Sequence, residues 1–99
     1  MTTIKGLTSE QFKMIFDIIK TYSEYEFFIY GSRVIGNFSK NSDLDLLIKG
    51  KDKISLEVIE ELKEKFDKSS LSFIVHIADS YGLDHKFFEL IQKYMVKIC

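Results

Sequence analysis

Two short groups of polar residues, separated by ten positions, carry the chemistry that this sequence suggests. Gly31-Ser32 follows an apolar run, Phe27 to Tyr30, and Asp43-Leu44-Asp45 opens a second run that ends at Ile48. Where a strand ends in Gly-Ser and turns at once into a helix, backbone N–H groups and a hydroxyl can bind a phosphate, and glycine lets the backbone approach it closely. Gly31 and Ser32 are therefore candidate nucleotide-binding residues.

The two aspartates open the second predicted strand. Because side chains alternate along a strand, Asp43 and Asp45 project from one face while Leu44 and Leu46 project from the other. Two carboxylates side by side on a rigid strand suit a hard divalent cation, Mg²⁺ above all. A phosphate-binding turn beside a carboxylate pair is what metal-assisted nucleotidyl transfer requires. We therefore predict that Asp43 and Asp45 are catalytic metal ligands.

The combined pattern, Gly-Ser, ten residues and Asp-x-Asp, resembles the signature of the polymerase-β-like nucleotidyltransferase superfamily. The stretch GSRVIGNFSKNSDLDLLI looks like its minimal form, the small MNT proteins of bacteria and archaea, with Arg33, Gly36 and Ser42 also in their places. The resemblance implies transfer of AMP from ATP to an acceptor hydroxyl. It also implies that Ser32 and the following N–H groups hold the β- and γ-phosphates, that Arg33 steadies the triphosphate, and that Ser42 belongs to the nucleotide site.

Arg33 is the only arginine among fourteen basic residues. A planar guanidinium can bind phosphate oxygens through two parallel hydrogen bonds, whereas lysine offers only a point charge. We therefore predict that Arg33 contacts a nucleotide phosphate, with chance as the alternative explanation for a single arginine.

The third metal-binding position departs from the family pattern. The resemblance places a third carboxylate of active members on the next core strand, and the matching stretch here is Val75-His76-Ile77-Ala78-Asp79. The period of two predicts that His76 lies on the face of Asp43 and Asp45. Imidazole is a poor ligand for Mg²⁺ and a better one for Mn²⁺ or Zn²⁺, and it can also accept a proton from an attacking hydroxyl.

Three interpretations of His76 stay open. The histidine serves as ligand or base in active transfer, or the site binds nucleotide and a single metal ion with weak or absent catalysis, or His76 is structural. Asp79 is a less favoured substitute acid, because its odd spacing from His76 points it to the other face.

Composition limits the class of protein. The 99 residues are 45% hydrophobic and 29% charged, which is typical of one globular domain, and we predict a single minimal nucleotidyltransferase domain over 1–99. A net charge of −1 argues against direct nucleic-acid binding. The single cysteine, Cys99, together with the absence of a signal peptide and of a membrane-spanning apolar run, predicts a cytoplasmic protein without membrane contact.

The predicted elements alternate between helices and strands. They are a helix begun by a Thr8 cap, strand Glu26–Tyr30, a short helix Ser32–Gly36, strand Leu44–Ile48, helix Ser55–Phe66, strand Ser72–Ala78, and a last helix capped by Asp84. This order predicts an α/β (α+β) fold: a three-stranded mixed sheet with helices packed on one face and the other face open. It resembles the palm-like core of the superfamily.

The resemblance also implies a partner. Small MNT proteins commonly occur beside an all-helical HEPN protein, in a pair that resembles a toxin–antitoxin system. The MNT member then acts as antitoxin, either by AMPylating a tyrosine of the HEPN ribonuclease or, in the alternative reading, as a weak or inactive nucleotide-binding subunit that neutralises it by complex formation. An antibiotic-modifying transferase would need a further substrate domain. We predict that the partner, or a second copy of the chain, contacts apolar residues of the first and last helices: Met14, Ile18, Phe88 and Met95.

Overall fold

The computed structural model describes residues 4–99, so the first three positions of the predicted domain 1–99 lie outside the described residues. The elements are α1 (Ser9–Ile19), β1 (Glu26–Tyr30), α2 (Ser32–Ile35), β2 (Leu44–Lys49), α3 (Leu56–Asp67), β3 (Val75–Asp79), a 3₁₀ turn (Ser80–Gly82), α4 (His85–Gln92) and β4 (Val96–Lys97). The strands form one sheet in the order β3-β2-β1-β4, in which β2 and β3 are parallel and the other pairs antiparallel. The predicted α+β class is confirmed.

The sheet has four strands rather than the predicted three. The additional strand, β4, pairs with β1 through Phe28 opposite Lys97 and Ile29 opposite Val96. A strand of two residues is too short to show alternation in the sequence, and only its long-range pairing defines it. The third predicted strand is also shorter than expected, because pairing with β2 begins at Val75 rather than Ser72.

Local signals determine where the first and third helices begin. Thr8 and Gln11 form a capping box at α1, in which the Thr8 hydroxyl accepts from the Gln11 N–H at 3.1 Å and the Gln11 side chain accepts from the Thr8 N–H at 3.0 Å. The Ser55 hydroxyl accepts from the Val58 N–H at α3. Asp84 precedes α4 as predicted, but its side chain makes no capping hydrogen bond.

The main core lies on one face of the sheet. Its fully buried strand residues are Phe27, Ile29, Leu44, Leu46 and Ile48, and these pack against Ile15 and Ile19 of α1 and Leu62 and Phe66 of α3. Fully burying a side chain of this size stabilises a fold by about 1.5–3 kcal/mol. This packing therefore fixes the strand orientation, and with it the face on which Asp45 projects.

The opposite face carries a second, smaller core, so the prediction of helices on one face only is wrong. Phe28, Tyr30 and Leu47 are buried there, with Phe88 and Ile91 of α4 packed against them. Because β1 and β2 are apolar on both faces, both faces must be covered, and α4 covers this one. Phe88 and Met95 belong to this small core rather than to an exposed surface.

The exposed apolar side chains of α4 are instead Phe87, Leu90 and, just beyond its end, Tyr94. Within residues 4–99, no helix has both the length and the apolar character needed to cross a membrane.

Candidate active site

Three polar side chains, from β1, β2 and β3, lie side by side on the face of the sheet that carries the smaller core. Asp45 of β2 pairs with Tyr30 of β1 on one side and with His76 of β3 on the other, so the three residues form a row across the sheet. Asp43 precedes Asp45 by two positions and therefore points to the same face. The predicted placement of Asp43, Asp45 and His76 on one face is confirmed.

Gly31 brings the turn after β1 against the second strand. Its φ of 85° and ψ of −158° are accessible to glycine and strained for other residues. A Cβ built at this position would overlap Oδ2 of Asp45 and lie 3.2 Å from its Cγ. Both the backbone conformation and the close approach of Asp45 therefore require glycine here.

The turn continues directly into α2. The Gly31 carbonyl accepts from the N–H groups of Val34 and Ile35, both at 3.1 Å, and Ser32 is the first helical residue. The helix ends after one turn at Gly36, which has a φ of 112°. Gly31 and Ser32 thus lie at the N-terminal end of α2, beside Asp45, where the sequence predicted the phosphate-binding turn.

Asp43 and His76 contact each other directly. The Nε2 atom of His76 lies 2.7 Å from Oδ2 of Asp43. An ionised carboxylate can only accept a hydrogen bond, so the imidazole donates. Both side chains are about half exposed, at 58% for His76 and 44% for Asp43, so this pair is open to solvent and to ligands.

Asp45 is more enclosed than Asp43. Burial raises its pKa above the ordinary aspartate value, while His76 acts to lower it and the Asp43 carboxylate adds to the rise. A neighbouring cation would offset both the burial and the repulsion from Asp43. The electrostatics of the site therefore favour binding of a positive ion next to the two carboxylates.

The donor set fits a hard divalent cation held by two carboxylates. Asp43 and Asp45 offer carboxylate oxygens on one face, and the Gly31 turn lies directly beside Asp45. Among the described residues, no three His, Cys, Asp or Glu side chains converge on one point as a metal-binding group. A cation bound beside the two carboxylates would complete its coordination with phosphate and water.

Arg33 binds backbone carbonyls of the protein itself, and these contacts do not support the phosphate contact predicted from the sequence. Its side chain is buried, with 3% exposure. The guanidinium donates to the Gly6 carbonyl, to the Lys40 carbonyl at 3.1 Å and to the Ser42 carbonyl at 2.8 and 3.1 Å. It also stacks on Phe73, with 4.0 Å between Cζ and the ring centroid. Burial lowers the pKa of Arg33, and Asp43 opposes that effect.

Arg33 therefore fastens the loop between α2 and β2 to the N-terminal segment. Its bonds are to carbonyl oxygens, which every residue has, so no residue type in the sequence marks them. The one available signal was that arginine occurs once in a lysine-rich chain.

Ser42 and Asp79 are also engaged within the fold. The Ser42 hydroxyl accepts from the Ser39 N–H at 2.8 Å, which shapes the loop before Asp43. The Asp79 carboxylate accepts from the N–H groups of Ile54 at 2.8 Å and Tyr81 at 3.0 Å. Both side chains make their hydrogen bonds within the fold, and neither geometry indicates a ligand contact.

Tyr30, predicted from the sequence only as the end of a strand, is a neighbour of the site. It faces Asp45 across the β1–β2 pair, and burial together with Asp45 raises its pKa. Phe87 of α4 packs edge-on against it, with 6.2 Å between the ring centroids. The alternation of β1 would have placed Tyr30 on the face of Asp45 once the pairing was known.

The chain resembles known proteins in sequence and in fold. Residues 12–97 match the sequence profile described as nucleotidyltransferase domain. A relative from Haemophilus influenzae, named probable protein adenylyltransferase MntA, is 32% identical over 93 residues, covering 93% of this chain and 82% of that protein.

Solved structures share the fold. A crystal structure of a toxin–antitoxin with AMP-PNP superposes with a TM-score of 0.72 at 18% identity, over 87% of this chain and 70% of the other. Two mutants of the toxin–antitoxin MntA–HpeT give TM-scores of 0.71 and 0.72 at 16% and 17% identity. They cover 87% and 94% of this chain, and 70% and 73% of theirs.

Proposed function

Because this chain belongs to the family of nucleotidyltransferase domains, we propose that it transfers AMP from ATP to a hydroxyl of a protein acceptor. Asp43 and Asp45 are the metal ligands, and Gly31 and Ser32 line the triphosphate. The observation that carries this proposal is the contact between the Gly31 turn and the Asp45 carboxylate. In this contact the proposed phosphate-binding turn lies directly beside one of the proposed metal ligands.

Each residue of the site has a distinct task in this reaction. Gly31 lets the triphosphate approach the backbone, and the Ser32 hydroxyl donates to a phosphate oxygen. Asp43 and Asp45 fix the position of a divalent ion, which when bound neutralises phosphate charge and orients the α-phosphate for attack. Mg²⁺ suits the two carboxylates, and Mn²⁺ is the alternative ion.

The buried side chains beneath the site hold it rigid. Leu44 and Leu46, fully buried, anchor the strand on which Asp45 projects. Tyr30 is buried next to Asp45 in the sheet, and Phe87 of α4 packs edge-on against it. Transfer depends on holding reacting groups in line, so a rigid support for the ligands favours the reaction.

The relative named probable protein adenylyltransferase supports two parts of this proposal, namely that the transferred group is adenylyl and that the acceptor is a protein. The fold is shared with chains of toxin–antitoxin complexes, one of them with AMP-PNP. We propose on this basis that the chain is the antitoxin of a cytoplasmic pair and that a helical HEPN-type protein is both partner and acceptor. The second candidate is an inactive subunit that neutralises this partner by binding alone, which the replacement of the third acid by His76 favours.

The proposed surface for the partner is the exposed apolar stripe of α4. Phe87, Leu90 and Tyr94 are 41%, 65% and 56% exposed and recur at helical spacing. Phe87 contacts Tyr30, which faces Asp45. A partner seated on this stripe would therefore reach the carboxylates, although a stable interface of at least about 1,000 Å² must extend beyond these three residues.

Label transfer tests the proposed function. The chain, co-purified with the protein encoded beside it, is incubated with α-labelled ATP and Mg²⁺ or Mn²⁺, and label on either protein is measured. We expect labelling of the partner that is lost in Asp43→Asn and Asp45→Asn and retained in Asp52→Asn, an exposed carboxylate outside the site. Equal labelling by wild type and Asp43→Asn would contradict the assignment, and a stable but unlabelled complex would favour the inactive subunit.

A further inference from the structure

His76 makes a hydrogen bond to a candidate metal ligand. Its Nε2 atom is 2.7 Å from Oδ2 of Asp43, the length of a charge-assisted hydrogen bond. The Nε2–H that points at the carboxylate cannot at the same time offer a lone pair to a metal. Within the described residues, the side chains of Asp43, Asp45 and His76 also do not form a group that could hold one metal ion together.

The register of the sheet holds His76 in this position. His76 pairs with Asp45 in the parallel β2–β3 ladder, and β3 is anchored by Phe73, which is buried against the Arg33 guanidinium. The imidazole therefore projects from a fixed strand toward Asp43, which precedes β2 and belongs to no regular element. Asp43 is the less constrained member of the carboxylate pair, and it is the one that His76 contacts.

We infer that His76 is a positioning residue: its Nε2–H orients the Asp43 carboxylate, and His76 is not itself a ligand of the ion. Hydrogen bonds to metal-binding carboxylates and histidines commonly act in this way, and their loss typically costs 10-fold to 100-fold in metal affinity. This inference rests on the proposed assignment of Asp43 as a metal ligand. It gives a site with two protein ligands, where the family pattern has three carboxylates.

Direct measurement of Mn²⁺ binding at pH 8 tests the inference without ATP or a partner. Electron spin-echo spectroscopy of the Mn²⁺ complex detects a nitrogen bound directly to the metal. We expect Mn²⁺ to bind to the wild-type chain with no directly coordinated nitrogen. A coordinated nitrogen that disappears in His76→Gln would overturn the inference and make His76 a ligand, as would the absence of any Mn²⁺ binding to the wild type.

Substitutions of His76 separate positioning from mere structural support. His76→Ala removes the donor and should weaken Mn²⁺ binding by about 10-fold to 100-fold. His76→Gln places an amide N–H near the position of Nε2, and its affinity should return most of the way to the wild-type value. Unchanged affinity in His76→Ala, or no recovery in His76→Gln at an unchanged melting temperature, would contradict the inference.

His85 provides the matched control. It is the other histidine, it makes a similar contact to Glu89 at 2.9 Å, and it is 84% exposed on α4. His85→Ala should leave Mn²⁺ affinity unchanged, and a loss equal to that of His76→Ala would make the effect non-specific and contradict the inference. If Mn²⁺ binds as expected but no label is transferred, the proposed activity fails while the role of His76 stands.

Discussion

The Cα atom of Gly31 lies against the carboxylate of Asp45, so that any side chain at position 31 would overlap Oδ2 of Asp45. The two halves of the Gly-Ser and Asp-x-Asp signature meet because Tyr30 and Asp45 are paired in adjacent antiparallel strands. The ten residues between them form one helical turn and a return loop. This spacing is therefore the length of chain needed to bring the Asp-x-Asp segment back beside the Gly31 turn.

Alanine substitutions at three glycines distinguish the two constraints on position 31, which are its positive φ and the close approach of Asp45. Gly31 and Gly36 both have positive φ, but a Cβ at Gly36 meets nothing within 4 Å. We expect Gly36→Ala to destabilise the fold by about 1–3 kcal/mol through backbone strain alone, and Gly31→Ala to cost more because of the overlap with Asp45. Urea unfolding of both variants measures the difference.

Gly82→Ala is the control for this series. A Cβ at Gly82 meets nothing within 4 Å and its φ is not in the positive region, so the change in unfolding free energy should stay within about 0.5 kcal/mol. Equal losses of unfolding free energy in Gly31→Ala and Gly36→Ala would show that the contact with Asp45 does not limit which residue fits at position 31.

Asp45 should reduce stability at neutral pH when no ion is bound. Burial raises its pKa, so the folded chain holds more protons than the unfolded chain between the ordinary aspartate pKa and the raised one. Stability from this group is present at low pH and falls as the pH rises through that window. We expect Asp45→Asn to melt at a higher temperature than wild type at pH 7, with the difference shrinking toward pH 4.

Thermal melting of wild type and Asp45→Asn across this pH range measures the effect. Asp52→Asn, at an exposed site, should show no such pH-dependent difference. A wild type that is more stable than Asp45→Asn at pH 7 without divalent ions would contradict the prediction.

Divalent ions should reverse the order of the melting temperatures, so that wild type melts above Asp45→Asn. An ion present at 100 times its dissociation constant stabilises the folded state by about 2.7 kcal/mol, which corresponds to roughly 10 °C or more for a domain of this size. We expect Mg²⁺ or Mn²⁺ with ATP to raise the melting temperature of wild type and to leave Asp43→Asn and Asp45→Asn nearly unchanged. Equal shifts in all three proteins would exclude these carboxylates as the binding site.

The parts of the fold that could be predicted depend on local signals. β1 has the predicted bounds Glu26–Tyr30, and the capping box at Thr8 and Gln11 forms as expected. The shared face of Asp43 and Asp45 also follows from alternation alone, whereas the position of His76 depends in addition on its pairing with Asp45 in the β2–β3 ladder. For β1, the capping box and the two aspartates, the determining interaction lies within a few residues along the chain, where sequence spacing fixes geometry.

The parts that could not be predicted depend on contacts between distant segments. β4 exists only through its pairing with β1, and α4 covers the second face because Phe28 and Leu47 need burial there. The role of Arg33 is set by the carbonyls of Gly6 and Ser42, which the fold brings together. Spacing along the chain contains no information on which backbone oxygens will meet a side chain.

Substitution on the α4 stripe should weaken partner binding without unfolding the chain. Leu90 is 65% exposed, so Leu90→Glu adds a charge to the proposed interface at little cost to the free monomer. We expect loss of co-purification of the HEPN-type partner at an unchanged melting temperature. Glu57→Lys, an exposed charge change on α3, is the control, and an intact complex in Leu90→Glu would exclude this stripe as the interface.

Arg33→Lys should reduce stability rather than nucleotide affinity. Lysine cannot reproduce the bonds to Gly6, Lys40 and Ser42 together with the stacking on Phe73. Leaving a buried carbonyl unsatisfied costs about 1–3 kcal/mol, and we expect a total loss of at least that size in urea unfolding. Lys40→Ala, which removes an exposed side chain but keeps its carbonyl, should be close to neutral.

Calorimetry of ATP and Mg²⁺ binding below the melting temperature decides between a structural role of Arg33 and a role in phosphate binding. A dissociation constant raised tenfold or more in a stably folded Arg33→Lys would return Arg33 to the phosphate site.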